Sequence, residues 1–398
     1  MKCPDAFPWG DGAWLARRGR HDLRSAPLNI YEVHLGSWRR GADGAPLSCG
    51  EIAAQLVPYV KQTGFTHVHL LPLARHAPED SWGYCCTDPW TPDPRCGSPG
   101  ELMALIDALH RAGVGVFLEW VCPPLPPEEA AACALHWLDE YHLDGLRPVC
   151  APGCTEPPAL EQLCAGISAL RPGVCMMGYG ASAGTAFNWT SPFIRADLSR
   201  PAIFALSHDE TARVSLLERM DGDDAAKFAA VRALYTCLLA LPAKTLTMMG
   251  CEFGQRGPWR SEHSLDWHLM QQPEGDLHRK LHAFFRAAGS CYLRTGALWQ
   301  LDGSPEGFTP LWEQDGVYAF LRADRRGRRV LAAVNFSPER RDGLSLAVPR
   351  PYRYSPLFHT NQSEFGGDGR PPAAISRGGE AAVTLDLPPG SAALWACF

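Results

Sequence analysis

The sequence predicts an α/β protein: a parallel (β/α)8 barrel of the TIM type, its helices missing or rudimentary around the sixth strand, followed by an all-β sandwich. Three observations carry this. Strand-like and helix-like stretches alternate with short joints from Asn29 to Met177 and again from Ile203 to Leu293, the pattern of a parallel sheet covered by helices. Val114–Val121 is apolar except for Gly115 and Glu119, as suits a strand buried on both faces. After about Leu301 the texture changes to short strands separated by Gly, Pro and charged turns, as in a sandwich. The expected organisation is a lead-in over 1–29, a barrel over 30–300 and a sandwich over 301–398.

In chain order, Asn29–Leu35 alternates β-formers with polar residues and is closed by Gly36-Ser37, which reads as a strand. Glu51–Thr63 places Ile52, Leu56, Val57 and Val60 at helical spacing and stops at Gly64. Thr66–Leu73 is the second strand. Ser98 and Pro99 open the next helix as N-cap and first position, and it runs to Ala112 before Gly113. Val114–Val121 is the third strand, Glu128–His142 the third helix and Gly145–Cys150 the fourth strand. Ala159–Leu170 is the fourth helix and Val174–Met177 the fifth strand. From Gly178 to Arg200 there is no helical period, and only a short sixth strand, Phe187–Thr190, fits. Ile203–Ser207, the helix Ala225–Ala240, the strand Thr245–Gly250 and the helix Asp276–Leu293 complete the barrel. The later strands are Val317–Arg322, Arg329–Asn335, Leu344–Val348, Ala382–Leu385 and Ala392–Ala396, with 360–380 a Gly-, Pro- and Ser-rich loop. No internal repeat or low-complexity tract occurs.

A chain of 398 residues, 46% hydrophobic and 20% charged, is large enough for one big core and a smaller one. A formal charge of -6 argues against nucleic-acid or anionic-membrane partners, which a net-acidic surface does not attract. The one dense basic run, Arg325–Arg329, reads as a solvated hairpin turn. The N-terminus has no apolar signal core, and no run of about 18 apolar residues occurs; a cytoplasmic location is expected. The fifteen cysteines are scattered and read as small buried hydrophobes in a reducing compartment. Cys150 with Cys154, and Cys85 with Cys86, form no four-ligand set, so neither a metal nor a cofactor is expected.

Several stretches, in order, resemble landmarks of the 1,4-α-glucan (glycogen) branching enzymes of the α-amylase superfamily. They are Ile30-Tyr31-Glu32-Val33-His34-Leu35-Gly36-Ser37-Trp38-Arg39-Arg40, Ser81-Trp82-Gly83-Tyr84, Asp144-Gly145-Leu146-Arg147, Leu206-Ser207-His208-Asp209-Glu210, Met249-Gly250-Cys251-Glu252-Phe253-Gly254-Gln255 and Ser264-Leu265-Asp266-Trp267. The resemblance implies a (β/α)8 barrel followed by a β-sandwich. It further implies that the N-terminal carbohydrate-binding module is absent and that the insertion after the third strand has shrunk to Cys122–Pro127.

Retaining glycosyl transfer needs a nucleophilic carboxylate and an acid/base carboxyl roughly 5 to 5.5 Å apart, and the family adds a third carboxylate that holds sugar hydroxyls in the transition state. The resemblance assigns that third role to Asp209, beside substrate-binding His208. A His-Asp pair alone reads as readily as a helix N-cap with a polar neighbour; its matched context carries the assignment. Arg147 is implied to orient the nucleophile, which normally lies two residues later, and that position is Val149. No Asp occurs between Gly145 and Ala196. The acid/base position maps to Gly178, and no Glu occurs between Gln162 and Asp209. The family's first landmark reads Glu119-Trp120-Val121-Cys122-Pro123-Pro124, with Glu in place of Asp and Pro124 in place of a substrate-binding His.

Trp82 and Tyr84 occupy the loop where the family stacks a sugar ring, with core packing as the other reading. Trp120, Trp137, Trp267 and Trp299 read as core, and His67 and His69 as satisfied core histidines. The expected function is that of a branching-enzyme homologue of glycogen metabolism, a pseudoenzyme lacking two of three catalytic carboxylates, with α-glucan (glycogen or maltooligosaccharide) as its partner. Two alternatives stand beside it: an active branching enzyme with a rearranged site, and a non-catalytic scaffold or eroding gene product.

Overall fold

Two Ser-x-x-Glu boxes start the first two long helices. The computed structural model describes residues 7–20, 22–150, 157–177, 203–376 and 378–398. Its residues divide into two compact units: Met1–Leu23, Ile30–Ala183 and Trp259–Leu265 in the first, Arg24–Asn29, Gly184–Pro258 and Asp266–Phe398 in the second.

The first unit runs through α1 (Gly12–Arg18), β1 (Asn29–Val33), α2 (Leu35–Trp38), α3 (Cys49–Thr63), β2 (His67–Leu70), the antiparallel hairpin β3 (Ala74–His76) and β4 (Cys86–Pro92), and α4 (Pro99–Arg111). It continues with β5 (Gly115–Cys122), α5 (Pro127–Glu140), β6 (Gly145–Cys150), α6 (Pro157–Leu170) and β7 (Cys175–Met176). Ser48 caps α3 and Ser98 caps α4, each accepting from the backbone N–H three residues on while Glu51 or Glu101 accepts from the cap backbone. That reciprocal arrangement satisfies two otherwise orphaned donors. Gly64 ends α3 in the left-handed region, φ 83°, where glycine carries no steric cost. The five parallel strands lie in the order β7-β6-β5-β2-β1. Every residue of β1, β2 and β5 is buried, as helices on the outer face require. At the β6–β7 edge, a Cβ on Gly145 would sit 2.1 Å from the Cys175 carbonyl oxygen, so only glycine allows that approach.

The second unit holds the parallel pair β8 (Ile203–Leu206) and β9 (Lys244–Met248) with α7 (His208–Thr211), α8 (Asp224–Ala240) and α9 (Asp276–Arg294). Eight antiparallel strands follow: β10 (Phe308–Gln314), β11 (Val317–Ala323), β12 (Arg329–Asn335), β13 (Arg341–Ala347), β14 (Tyr354–His359), β15 (Ala373–Ser376), β16 (Ala382–Leu387) and β17 (Ser391–Cys397). They form sheets of order β10-β11-β12-β17-β14 and β13-β16-β15, and the core between them contains Leu321, Leu331, Leu385 and Trp395. The buried Asp302 carboxylate meets Lys244 of β9 at 2.7 Å and Arg322 of β11, which neutralises charges that could not be buried singly.

Seven of the eight parallel strands expected from the sequence are present, each within a few residues of its expected bounds; the sixth, Phe187–Thr190, lies outside the described residues. The basic run is a hairpin turn between β11 and β12, closed by Arg328 Nε on Asp324 at 2.6 Å. Three corrections follow. The stretch 360–380 is not all loop, since it contains β15. Strands β3, β4, β10 and β14 went unread. Trp299 is only half-buried, its indole N–H donating to the Tyr292 carbonyl at 3.1 Å, whereas Trp120, Trp137 and Trp267 are core. Among the described residues no helix is long and apolar enough to cross a membrane.

Candidate functional site

Side chains alternate across a strand, so strand register decides which residues share the inner layer of the first unit. Glu32 of β1 lies beside His69 of β2. His69 lies beside Phe117 of β5, and Glu119, two residues on, faces the same way. Glu119 in turn is paired with Arg147 of β6. Four neighbouring strands thereby place two carboxylates, an imidazole and a guanidinium in one layer. Glu32 and His69 are fully buried and Glu119 is 2% exposed.

Arg147 Nη1 donates to Glu119 Oε2 at 3.0 Å and lies 3.7 Å from Glu32 Oε1. His69 sits between the same two carboxylates, Nδ1 3.3 Å from Glu32 Oε1 and Nε2 3.7 Å from Glu119 Oε2. Tyr84, from the β2–β5 excursion, donates its hydroxyl to Glu119 Oε1. Buried charges need such partners, because a lone carboxylate out of water costs several kcal/mol. Val149 is two residues beyond Arg147 and faces the same layer nearer the carboxyl end of the strand, the end where barrel enzymes keep their chemistry.

The turn carrying Trp82 and Tyr84 is held by sterics. Gly83 has φ 93°, and a Cβ there would lie 2.6 Å from the Pro72 side chain. Trp82 itself has φ 55°, an uncommon conformation for a bulky residue that costs on the order of 1–3 kcal/mol and clusters at functional positions. Its half-buried ring packs at 4.7 Å on Trp259. Trp259 is fixed by its indole N–H on Ser37 Oγ at 2.9 Å, and Ser37 Oγ also meets His34 Nδ1 at 2.8 Å. The expected aromatic pair is therefore split: Trp82 belongs to an aromatic group, Tyr84 to the charged layer.

At the opposite, amino ends of these strands is a second buried polar group. Asp144 Oδ2 accepts from the Val116 amide at 2.6 Å and meets His110 Nε2 at 3.0 Å; its Oδ1 accepts from Trp14 Nε1 at 2.8 Å and Arg18 Nη1 at 3.1 Å. His110 Nδ1 meets Asp11 at 2.8 Å. Burial pushes the Asp144 carboxyl up, but the hydrogen bond with His110 and the charges of His110, His67 and Arg18 outweigh it and hold it down at about 2. Burial, reinforced by the charges of His110 and Arg17 and opposed by Asp144, pushes His67 down to about 4. This end of a barrel serves stability.

In the second unit, β8 leads into α7. Ser207 is the N-cap, with Glu210 as its capping-box partner, so the N-cap reading falls on Ser207 and not on the His-Asp pair. His208 is buried, and its Nε2 lies 3.4 Å from Asp209 Oδ1 on a side chain that is 58% exposed. Two matched stretches of this unit are joined directly: Gln255 Nε2 donates to Asp266 Oδ2 at 2.6 Å, and the Asp266 amide to Gln255 Oε1 at 2.9 Å. Gly178 lies outside the described residues.

The residues that sequence reasoning missed as a group are Glu32 and His69. The available signal was parity. In strands otherwise apolar enough to be buried on both faces, Glu32, His69, Glu119 and Arg147 are polar interruptions toward the carboxyl ends, beyond Asn29 and His67 at the strand starts.

Residues 312–397 match the family described as "Alpha amylase, C-terminal all-beta domain". The chain is similar to the 1,4-alpha-glucan branching enzyme GlgB of Desulfitobacterium hafniense, 32% identical over 91% of this chain and 73% of that one. It is also similar to GlgB of Thiobacillus denitrificans, 30% identical over 98% and 68%, and to GlgB of Rubrobacter xylanophilus, 33% identical over 91% and 64%. Two solved structures share the fold. One is the alpha-amylase of Geobacillus thermoleovorans complexed with acarbose (TM-score 0.69, 14% identity, 95% of this chain and 99% of that one). The other is an Anoxybacillus alpha-amylase (TM-score 0.73, 13% identity, 95% and 98%).

Proposed function

Because the chain belongs to the family of 1,4-α-glucan branching enzymes of the α-amylase superfamily, we propose that it is a branching-enzyme homologue that binds α-glucan and has lost the family's glycosyl transfer. The observation that carries this is the inner layer around Arg147. The guanidinium that the resemblance assigns to a nucleophile is turned onto Glu119 and Glu32, and the position two residues on is Val149. Valine can neither attack an anomeric carbon nor balance an oxocarbenium charge. By identity alone, Gly178 has no proton to give. Removing one member of a catalytic set that works as a unit costs factors on the order of 10⁴ to 10⁶, and here two are replaced.

Glu32 and Glu119 support a second reading, an active enzyme with displaced carboxylates, since both face the layer of Arg147. Their burial and their engagement by Arg147 and Tyr84 weigh against it. Glucan binding rests on the retained Trp82, Tyr84, His208 and Asp209, and a cytoplasmic location belongs to the same proposal. The binding half is tested by electrophoresis through gels containing glycogen. The protein is retarded, Trp82→Ala raises Kd about tenfold, or about 1.4 kcal/mol, and Trp82→Phe restores most of the affinity. Migration independent of glycogen refutes binding.

A further inference from the structure

The imidazole of His69 is fully buried, yet among the described residues neither ring nitrogen has a hydrogen-bond partner. Buried polar atoms are normally satisfied, and an exception points to a missing water or ion. The two carboxylates flanking His69 approach at 3.3 and 3.7 Å, too long or too poorly aligned to serve as acceptors.

We propose that Glu32, His69 and Glu119 form a binding site for a divalent first-row transition cation. One ligand atom from each of the three residues lies within 4.8 Å of the others. Ligands about 2.0 to 2.1 Å from a tetrahedral ion stand roughly 3.3 Å apart, and the His69–Glu32 separation is 3.3 Å. A donor set of one imidazole nitrogen and two carboxylate oxygens suits Zn²⁺, Co²⁺ or Mn²⁺ better than Mg²⁺ or Ca²⁺, which take oxygen donors and several waters. The three ligands come from β1, β2 and β5, one each, so no sequence spacing announces them.

Arg147 is the competitor. Its guanidinium sits 3.0 Å from Glu119 and 3.7 Å from Glu32, where it supplies positive charge to the same two carboxylates. Its side chain is 15% exposed, which leaves it a path toward the strand ends when an ion enters. The cation and the guanidinium therefore exclude one another, and removing Arg147 strengthens metal binding. This inference does not depend on glucan binding.

The test is titration of the metal-stripped full chain with Co²⁺, followed by visible absorption, which separates nitrogen and oxygen ligation from cysteine thiolate ligation by the charge-transfer band of the latter. One equivalent binds without a thiolate band. Glu119→Gln and His69→Gln each abolish that absorption, with circular dichroism confirming that they fold. Arg147→Met tightens binding about tenfold or more, a gain that misfolding cannot produce. No saturable signal in either the wild type or Arg147→Met, or a thiolate spectrum indifferent to His69→Gln, overturns the site.

Discussion

Replacing Asp144 by Asn removes the centre of the buried group that ties residues 11–18 to the strands of the first unit. The carboxylate accepts from four donors, two on each oxygen: Val116 N and His110 on Oδ2, Trp14 and Arg18 on Oδ1. An asparagine keeps one acceptor oxygen, so two donors lose their partner whichever way the amide faces. At about 1–3 kcal/mol for each buried donor left unsatisfied, the substitution costs about 2–6 kcal/mol at neutral pH. The pH dependence gives an independent figure. A carboxyl held at about 2 instead of its ordinary 3.8 contributes about 2 kcal/mol when ionised. Its folded value lies below its unfolded one, so this contribution is complete above about pH 4 and disappears as the pH falls through about 2. The assay is urea unfolding followed by tryptophan fluorescence. Asp144→Asn lowers the midpoint at pH 7, and the gap to the wild type narrows on acidification. A variant within about 0.5 kcal/mol of the wild type at pH 7 would refute this account of the group.

His67 gives a second window. Held at about 4 instead of its ordinary 6.5 by burial, it resists protonation in the fold, so stability is full above about pH 6.5 and declines by about 3 kcal/mol as the pH falls to about 4. His67→Phe, which keeps the ring stacked 4.8 Å from Phe117, flattens that decline in urea titrations at stepped pH; an unchanged slope contradicts it. Gly115→Ala places a methyl 2.2 Å from the His67 ring and 2.9 Å from Asp144 Oδ2, and lowers Tm by several degrees in calorimetry.

The barrel strands and the helices were legible because their signals are local: a Ser-Pro helix start, a closing glycine, a run of buried β-formers. The strands that went unread after Leu301 share a position. β10 and β14 are the two edges of the five-stranded sheet and β15 is an edge of the three-stranded one. β10 and β14 carry Pro310 and Pro356 beside register shifts, and β15 follows Pro371-Pro372. Proline is tolerated at edges and bulges for want of a ladder partner, and there it hides a strand from a reader of patterns. That the position the resemblance assigns to a nucleophile is Val149 was legible because the flanking stretch fixed the alignment. The buried layer beside it was not, because Glu32, His69, Glu119 and Arg147 are brought together by the register of four strands, and no single stretch contains two of them.

The central claim, that this branching-enzyme relative has lost glycosyl transfer while keeping its fold, is tested most directly by incubating the purified protein with amylose and measuring iodine colour and debranched chain lengths. The account predicts an iodine spectrum and a chain-length profile identical to those of amylose alone. New α-1,6 branches that disappear with Asp209→Ala would contradict it.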